Sequence, residues 1–111
     1  MTNMLKPTVV CLCGSTRFGE QYAKAAYIET LAGKIVLNIG VNTKSDEELF
    51  GNLSASEFRT LKIKLEVLHF CKIDLADEIL VLNVGGYIGE ATEREIEYAK
   101  VHGKIIRYLE N

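Results

Sequence analysis

The chain has 111 residues, of which 48% are hydrophobic and 25% are charged, a size and composition typical of one ordinary globular domain. The formal net charge is −2 and the lysines and arginines are dispersed, which argues against a nucleic-acid polymer as partner. No apolar run reaches the roughly 18–20 residues of a membrane span and no signal-peptide pattern opens the chain, so we expect a cytoplasmic protein without a membrane partner. A core of this size is small, so a ligand cleft is expected to need walls from a second copy, which favours a homo-oligomer, a dimer or higher.

The first third of the chain predicts a strand, a helix and a second strand. Residues 8–13 (TVVCLC) are an apolar, β-branched run that ends at Gly14, and residues 17–31 carry apolar side chains at helical spacing. Gly33 then marks the end of the helix. The continuously apolar residues 34–40 predict a strand that is covered on both faces.

The three cysteines, an odd number without the spacing of a disulfide framework, are expected to be reduced. Cys11 and Cys13 fall on one face of the first predicted strand, where they are expected to fill the core. A metal site would need two further ligands near them, and His69 and His102 supply no recognised spacing. We therefore expect neither a metal nor another cofactor.

A polar stretch, residues 41–57, separates the two halves of the chain and has a length typical of a lid or binding loop. Ser54 and Glu57 form a capping-box pattern near its end, which predicts the start of a long helix. The helix has a broad apolar face, made of Phe58, Leu61, Ile63, Leu65, Val67, Leu68 and Phe70. Two interpretations are open: the face packs entirely within the domain, or part of it packs against a neighbouring subunit.

The most informative stretch is residues 85–104, which follows the apolar run EILVLNV and opens through three glycines. A helix that starts near Gly89 places four residues on one inward stripe: Thr92, Glu95, Ile96 and Ala99. Burying the carboxylate of Glu95 costs free energy, which is usually tolerated where the charge has a partner or a task. Gly103 predicts the end of this helix, and residues 104–109 predict a last strand.

Strands that alternate with helices predict a parallel sheet with right-handed crossovers. We expect one three-layer α/β domain of the Rossmann or flavodoxin-like class over residues 1–111. About four strands are expected, in the order second, first, third, fourth. Two glycine-rich strand-to-helix turns then lie side by side at the carboxyl edge of the sheet, where such folds bind ligands.

The first of these turns, CGSTR, has the groups needed to hold an anion such as a phosphate. Gly14 permits a tight turn, and Ser15 and Thr16 offer hydroxyl groups. The start of the helix presents free N–H groups, and Arg17 adds a forked cation. The alternative is that Ser15 or Thr16 only caps the helix and that Arg17 is solvated.

Four motifs occur in order along the chain: CGSTR, LHFCKIDLADEILVLNV, a glycine loop leading into T-x-x-E-I-x-Y-A, and H-G-K-I-I. With these motifs the chain resembles the nucleoside 2-deoxyribosyltransferase-like superfamily, including its nucleoside 5′-monophosphate N-glycosidase branch. The resemblance spans most of the chain. It implies cleavage or transfer of the N-glycosidic bond of a (deoxy)nucleoside or its 5′-monophosphate.

The resemblance also implies catalytic roles. Glu95 matches the helix glutamate that attacks or stabilises the anomeric carbon as the base departs. The second acid of the family maps onto His69 or, further along the chain, Asp74 or Asp77. His69 can transfer a proton at neutral pH, whereas Asp74 would need a raised pKa. The alternative for His69 is a side chain that only packs on Phe70.

Substrate contacts follow from the same resemblance. The family's phosphate-recognising members use a G-S-x-R turn, which Gly14, Ser15 and Arg17 match, and this implies a 5′-nucleotide rather than a free nucleoside. Gly86 and Gly89 of the second turn are implied to let the backbone approach the sugar or phosphate closely. Thr92, one turn before Glu95, is implied as a further substrate-binding residue that orients the carboxylate. Their alternative role is a tight turn and a helix cap. Tyr87 either stacks on the base or is an exposed aromatic residue without a partner.

The chain departs from the family because typical members continue after the fourth strand with an element that helps to close the pocket. Contacts to the base are then expected from a partner subunit, or they are missing. The main alternative to an enzyme is a module of the same fold that binds or senses nucleotides without cleaving them. A third possibility is a small Rossmann-like interaction protein with no small ligand, in which Glu95 lies on the inward stripe by accident.

Overall fold

The computed structural model describes residues 6–39 and 50–111. Within these ranges the chain forms four strands and three α-helices. Their bounds are β1 Val9–Cys13, α1 Gly19–Leu31, β2 Ile35–Leu37, α2 Ala55–Leu75, β3 Glu78–Val81, α3 Glu90–Val101 and β4 Ile105–Tyr108, with a short 3₁₀ turn at Val84–Gly86. Most of the polar stretch 41–57, predicted to be a lid or binding loop, lies outside the described residues.

The four described strands lie in one parallel sheet in the order β2-β1-β3-β4, which confirms the predicted α/β class and strand order. Cys11 pairs with Leu37 of β2 and with Ile79 of β3, and Val81 pairs with Tyr108 of β4. Every residue of β1 and β3 is buried, whereas β2 and β4 are partly exposed at the sheet edges. The continuous apolar runs of the central strands reflect this position, because both of their faces are covered.

Helices cover both faces of the sheet. Because alternate residues of a strand point to opposite sides, each face has a core of its own. The face that carries α2 and α3 holds the larger core, formed by Val9, Cys11, Cys13, Ile73, Ala76, Ile79, Val81, Ile96 and Ala99. The face that carries α1 holds a smaller core, formed by Val10, Leu12, Tyr22, Ala25, Leu80 and Leu82. The result is the predicted three-layer arrangement, with Glu95 on the side of the larger core.

Local sequence signals set the ends of the helices. Ser54 Oγ accepts a hydrogen bond of 3.0 Å from the Glu57 N–H, and Glu57 Oε1 accepts one of 2.8 Å from the Ser54 N–H. This is the predicted capping box, and it starts α2. Gly33 and Gly103 follow α1 and α3 with φ angles of 86° and 71°, which confirms both predicted helix ends.

Much of the apolar face of α2 stays exposed along its 21 residues. Of the α2 residues, all of which the structure describes, only His69 and Ile73 are buried, while Ile63, Val67 and Leu68 are each more than half exposed. Packing within the domain therefore covers only part of the face, and contact with a second subunit stays a prediction. No helix in residues 6–39 and 50–111 is both long and apolar enough to cross a membrane.

Candidate functional site

Glu95 lies near the middle of α3, on the inward stripe that the sequence predicts. Gly89 is the N-cap of α3, and the helix buries four of its residues: Thr92, Glu95, Ile96 and Ala99. The predicted helix start and the predicted face are both confirmed, because a period of about 3.6 residues turns these side chains toward the larger core. Glu95 is only 9% exposed, which is unusual for a glutamate.

The Glu95 carboxylate meets His69, which α2 presents from the same side of the sheet. His69 and Ile73 are one turn apart and are buried together. His69 Nε2 lies 3.4 Å from Glu95 Oε1, but the contact lacks hydrogen-bond geometry. The buried Oε1 atom has no hydrogen-bond partner among the described residues. Glu95 therefore combines an adjacent histidine with an unpaired carboxylate oxygen.

Two thiols complete this group of side chains. Cys13 Sγ lies 3.3 Å from His69 Nε2, and Cys11 Sγ lies 3.8 Å from the same atom. Both cysteines are fully buried and point to the same face, because they are two residues apart on β1. We call Cys11, Cys13, His69 and Glu95 the Cys–His–Glu cluster. Its members come from three elements, so no spacing motif in the sequence could reveal it.

Burial and mutual contact shift the pKa of every member of the Cys–His–Glu cluster. Burial raises the pKa of Glu95 to about 6, although the charge of His69 acts in the opposite direction. Burial acts to lower the pKa of His69, but the hydrogen bond to Cys11 and the charge of Glu95 outweigh it, so the pKa is raised. Interaction with the Cys13 thiol lowers the pKa of Cys11 to about 6, and the same interaction, together with burial, raises the pKa of Cys13. The protons of the cluster are therefore shared among four close groups.

The first glycine turn packs closely against the end of β3. A Cβ atom on Gly14 would lie 3.1 Å from Leu82 Cβ and 3.3 Å from Leu82 O, so a side chain there would have to displace its neighbours. The Tyr22 hydroxyl donates a hydrogen bond of 2.7 Å to Gly14 O and ties the turn to α1. Glycine suits this position because the two chain segments approach each other closely.

Ser15 and Thr16 do not cap the first helix, so the capping alternative for this turn is wrong. The N-cap of α1 is Phe18, and no side chain of residues 6–39 and 50–111 makes a capping hydrogen bond there. The chain first forms a separate turn, in which the Phe18 N–H donates to Ser15 O at 3.1 Å. This turn delays the predicted helix start from residue 17 to residue 19. Ser15 Oγ accepts a hydrogen bond of 3.3 Å from the Arg17 N–H.

Arg17 and Tyr87 join the two glycine turns. The guanidinium carbon of Arg17 lies 4.3 Å from the centre of the Tyr87 ring, and Nη2 lies 3.5 Å from the Tyr87 hydroxyl. Phe18 meets the same ring edge-on at 6.1 Å. A Cβ atom on Gly89 would lie 3.2 Å from the Tyr87 hydroxyl, so glycine makes room for the ring. The predicted side-by-side placement of the two turns is confirmed, and Tyr87 has a cation as its partner.

The second glycine turn is bound by Glu110. The Gly85 N–H donates to both carboxylate oxygens of Glu110, at 3.1 and 3.2 Å. Asn83 and Glu110 exchange two further hydrogen bonds of 2.9 Å each. Gly86 has a φ of 82°, a conformation that other residues rarely adopt, so the tight-turn interpretation of this glycine is confirmed. Its contact with a sugar or phosphate stays a prediction.

Asp74 lies outside the Cys–His–Glu cluster. Near the end of α2, Asp74 Oδ1 accepts a hydrogen bond of 2.7 Å from the Tyr98 hydroxyl. Of the two candidate proton donors named as catalytic residues, His69 contacts Glu95, whereas the carboxylate of Asp74 is directed to Tyr98. Thr92 is buried one turn before Glu95 but makes no hydrogen bond to Glu95 Oε1.

Comparisons of the chain with protein-family models, with curated proteins and with solved structures found no match. The resemblance to nucleoside 2-deoxyribosyltransferases therefore depends on the motifs quoted above. The fold and the geometry of the Cys–His–Glu cluster supply independent observations on which a function can be proposed.

Proposed function

We propose that the protein cleaves or transfers the N-glycosidic bond of a (deoxy)nucleoside or its 5′-monophosphate, with Glu95 as the reacting carboxylate. The observation that carries the proposal is the unpaired Oε1 atom of Glu95, in a carboxylate buried beside a histidine. The neighbouring Cys13 ends β1, so the cluster adjoins the carboxyl edge of the sheet, the edge at which both glycine turns begin. Ligands of open α/β sheets bind at this edge.

The reaction suits a carboxylate with a free lone pair. Cleavage of an N-glycosidic bond passes through an oxocarbenium-like transition state, which Glu95 stabilises or attacks at C1′. The electron pair of the breaking C1′–N bond goes to the base nitrogen, which takes a proton from His69. Water, or a second base, then attacks C1′, displaces the Glu95 carboxylate and returns a proton to His69. Contact with Glu95 favours His69 over Asp74 as the proton carrier.

The first glycine turn supports a 5′-monophosphate as substrate. Among the described residues, no carboxylate lies within ion-pair distance of the Arg17 guanidinium, whose partner is the Tyr87 ring. The Ser15 hydroxyl accepts from the Arg17 N–H, so its own proton is free to be donated. A phosphate can therefore receive the forked guanidinium and a hydroxyl hydrogen bond from one turn.

The deciding experiment measures free base released from a panel of ribo- and deoxyribonucleoside 5′-monophosphates, separated by chromatography. Glu95→Gln keeps the shape of the side chain and removes the reacting oxygen, so release should be lost. The matched control is Glu97→Gln, because Glu97 lies on the exposed face of the same helix and should be silent. Equal release by the Glu95→Gln variant and the parent protein would discard the mechanism.

One observation favours a second candidate, a module of the same fold that binds or senses nucleotides without cleaving them. Oε1 of Glu95 is fully buried, so an incoming sugar must first displace the side chains around it. In this case a nucleotide raises the midpoint of thermal unfolding while no base is released. An interaction protein without a small ligand would show neither effect with any nucleotide of the panel.

A further inference from the structure

Three side chains of the Cys–His–Glu cluster direct two sulfur atoms and one nitrogen toward one another, and Glu95 Oε1 lies 3.4 Å from that nitrogen. We infer that Cys11, Cys13, His69 and Glu95 form a binding site for a thiophilic divalent cation of the zinc class. The ligand atoms of Cys11, Cys13 and His69 all lie within 4.8 Å of one another. The fourth donor, Glu95 Oε1, is the buried oxygen that has no hydrogen-bond partner among the described residues.

The distances from His69 Nε2 to the other donor atoms match those of a tetrahedral zinc site. With zinc–sulfur bonds of about 2.3 Å and zinc–nitrogen bonds of about 2.0–2.1 Å, a ligand sulfur and a ligand nitrogen stand about 3.6 Å apart. The two sulfur-to-nitrogen distances are 3.3 Å for Cys13 and 3.8 Å for Cys11, on either side of this value. A nitrogen and an oxygen ligand stand about 3.4 Å apart in the same geometry, and His69 Nε2 and Glu95 Oε1 are separated by 3.4 Å.

The donor types select the class of metal. Thiolate and imidazole ligands favour zinc and related transition metals, whereas calcium and magnesium require oxygen ligands. Two thiolates, one imidazole and one carboxylate leave no open position on a tetrahedral ion, so the site is closed. The third cysteine, Cys71, is exposed on α2 and takes no part.

The site is held in place by packed elements rather than by loops. Cys11 and Cys13 belong to the fully buried β1, while His69 and Glu95 belong to helices that pack on the same face of the sheet. A bound ion would therefore connect β1, α2 and α3. Lys72, whose charge acts on both Cys11 and His69, offsets the net negative charge of two thiolates and a carboxylate around a divalent ion.

Metal binding should also affect the release of base. This one expectation depends on the proposed function, whereas the metal site itself does not. An ion bound by His69 and Glu95 takes both groups away from the nucleotide. The metal-bound protein should then release no base, and removal of the metal with a chelator should restore release. Metal binding itself requires no catalytic activity and is measured without nucleotide.

The first experiment titrates the full chain, freed of metal by a chelator under reducing conditions, with Co²⁺ and then with Zn²⁺. One equivalent of Co²⁺ should produce the visible bands of a tetrahedral ion and a thiolate charge-transfer band in the near ultraviolet. Zn²⁺ should then displace Co²⁺ and abolish all of these bands. At a thousandfold excess over its Kd, Zn²⁺ should raise the midpoint of thermal unfolding by at least about 5 °C. Absence of the thiolate band overturns the inference.

Substitutions identify the ligands, and the chain offers a matched control for each residue type. Substituting a residue that only supports a metal ligand weakens metal binding by roughly 10–100-fold. Cys13→Ala and His69→Gln remove ligands, so each should weaken Zn²⁺ binding by more than this. Cys71→Ala and His102→Gln should bind like the parent protein, because neither residue belongs to the cluster. Retained affinity in the first pair, or its loss in the second, overturns the assignment.

X-ray absorption at the zinc edge tests the ligand set without any substitution, in case a variant of the buried thiols fails to fold. Two sulfur atoms at about 2.3 Å and two nitrogen or oxygen atoms are expected. A shell without sulfur overturns the inference. Metal binding without base release from metal-free protein would count only against the proposed function, whereas base release without metal binding would count only against the metal site.

Discussion

Two groups of buried charged side chains lie near opposite ends of the sheet, and they differ in their partners. Near the amino ends of the strands, Glu29 of α1 and Glu78 of β3 are both buried. Lys34 Nζ lies 3.2 Å from Glu29 Oε1 and 2.8 Å from Glu78 Oε1. Arg107 Nη1 lies 2.6 and 3.0 Å from the same two oxygens. We call these four residues the acid–base network. Glu95, in contrast, lies beside a histidine and a thiol, and no lysine or arginine of the described residues pairs with it.

The difference in partners separates a structural role from a reactive one. Hydrogen bonding to the Arg107 guanidinium lowers the pKa of Glu29, so the folded state favours its charge. Burial raises the pKa of Glu95, so the folded state disfavours its charge. A carboxylate held by two cations stabilises the fold, whereas one that keeps an unpaired oxygen is available to a substrate or a metal ion.

The largest effect that would sharpen this contrast is on base release. Glu95→Gln should lower the rate of base release by about 10³-fold or more, equivalent to about 4 kcal/mol in the activation barrier, because the reacting oxygen is removed. Glu29→Gln should leave the rate per folded molecule unchanged, since the ion pairs of Glu29 within the described residues are with Lys34 and Arg107, away from the Cys–His–Glu cluster. Chromatographic assays on the metal-free proteins measure both rates. A similar loss in the two variants would contradict the contrast.

The next effect is on stability at the acid–base network. Arg107→Ala leaves Glu29 and Glu78 buried, with Lys34 as the one remaining cation among the described residues, and should lower the free energy of unfolding by about 2 kcal/mol. This value is below that for a fully buried pair because the Arg107 side chain is 37% exposed. Urea denaturation measures the change.

A matched control for that substitution is Arg94→Ala. Arg94 pairs with Glu66 through two hydrogen bonds of 2.6 and 3.2 Å, but at a more exposed position between α3 and α2. Its loss should lower the free energy of unfolding much less than the loss of Arg107, because an exposed ion pair contributes little. Equal losses in the two arginine variants would show that burial of the acid–base network does not matter.

A smaller effect is expected from acid. Because the folded-state pKa of Glu29 lies below its ordinary value of 4.5, the stability it contributes is present above that value and is lost as the pH falls through the folded-state pKa. Lys34 and Arg107 donate hydrogen bonds to the Glu29 carboxylate, and Arg107 also donates one to Glu78. Arg107→Ala should therefore reduce the loss of stability in acid. Urea midpoints measured between neutral pH and pH ~3 test this prediction. The same dependence of stability on pH in parent and variant would show that the pair of Glu29 with Arg107 does not cause the loss in acid.

The smallest effect is expected on the stability of the metal-free Glu95→Gln protein. A neutral amide avoids the burial of a charge, and no hydrogen bond to Oε1 is lost. The free energy of unfolding should therefore stay within about 0.5 kcal/mol of the parent value or rise. If urea denaturation shows a decrease of more than about 1.5 kcal/mol in the free energy of unfolding, Glu95 stabilises the fold as Glu29 does.

Local sequence patterns predicted much of the fold and part of the site. The period of α3 placed Glu95 on its buried face, and the Ser54–Glu57 capping box marked the start of α2. Such features depend on residues within one or two turns of each other, so they can be read along the chain. His69 was named as a candidate for its chemistry, and only the packing of α2 on the sheet brought it to Glu95.

Other features had no local signal. The ion pairs of Arg107 with Glu29 and Glu78 join residues far apart in sequence, and the contact of Arg17 with Tyr87 crosses between two turns. Helix α1 begins at Gly19 rather than at the predicted residue 17, because a hydrogen bond within the preceding turn competes with helix formation. These arrangements follow from how separate elements pack.

The alternation of strands and helices, the buried stripe of α3 and the positions of the glycine turns follow from the order of residues along the chain, because hydrophobic period and backbone preference are short-range properties. The convergence of Cys11, Cys13, His69 and Glu95, and the bond of Asp74 to Tyr98, depend on the packed fold. Partners from different elements meet only when the sheet and helices pack together, and burial then sets the charge that each group can hold.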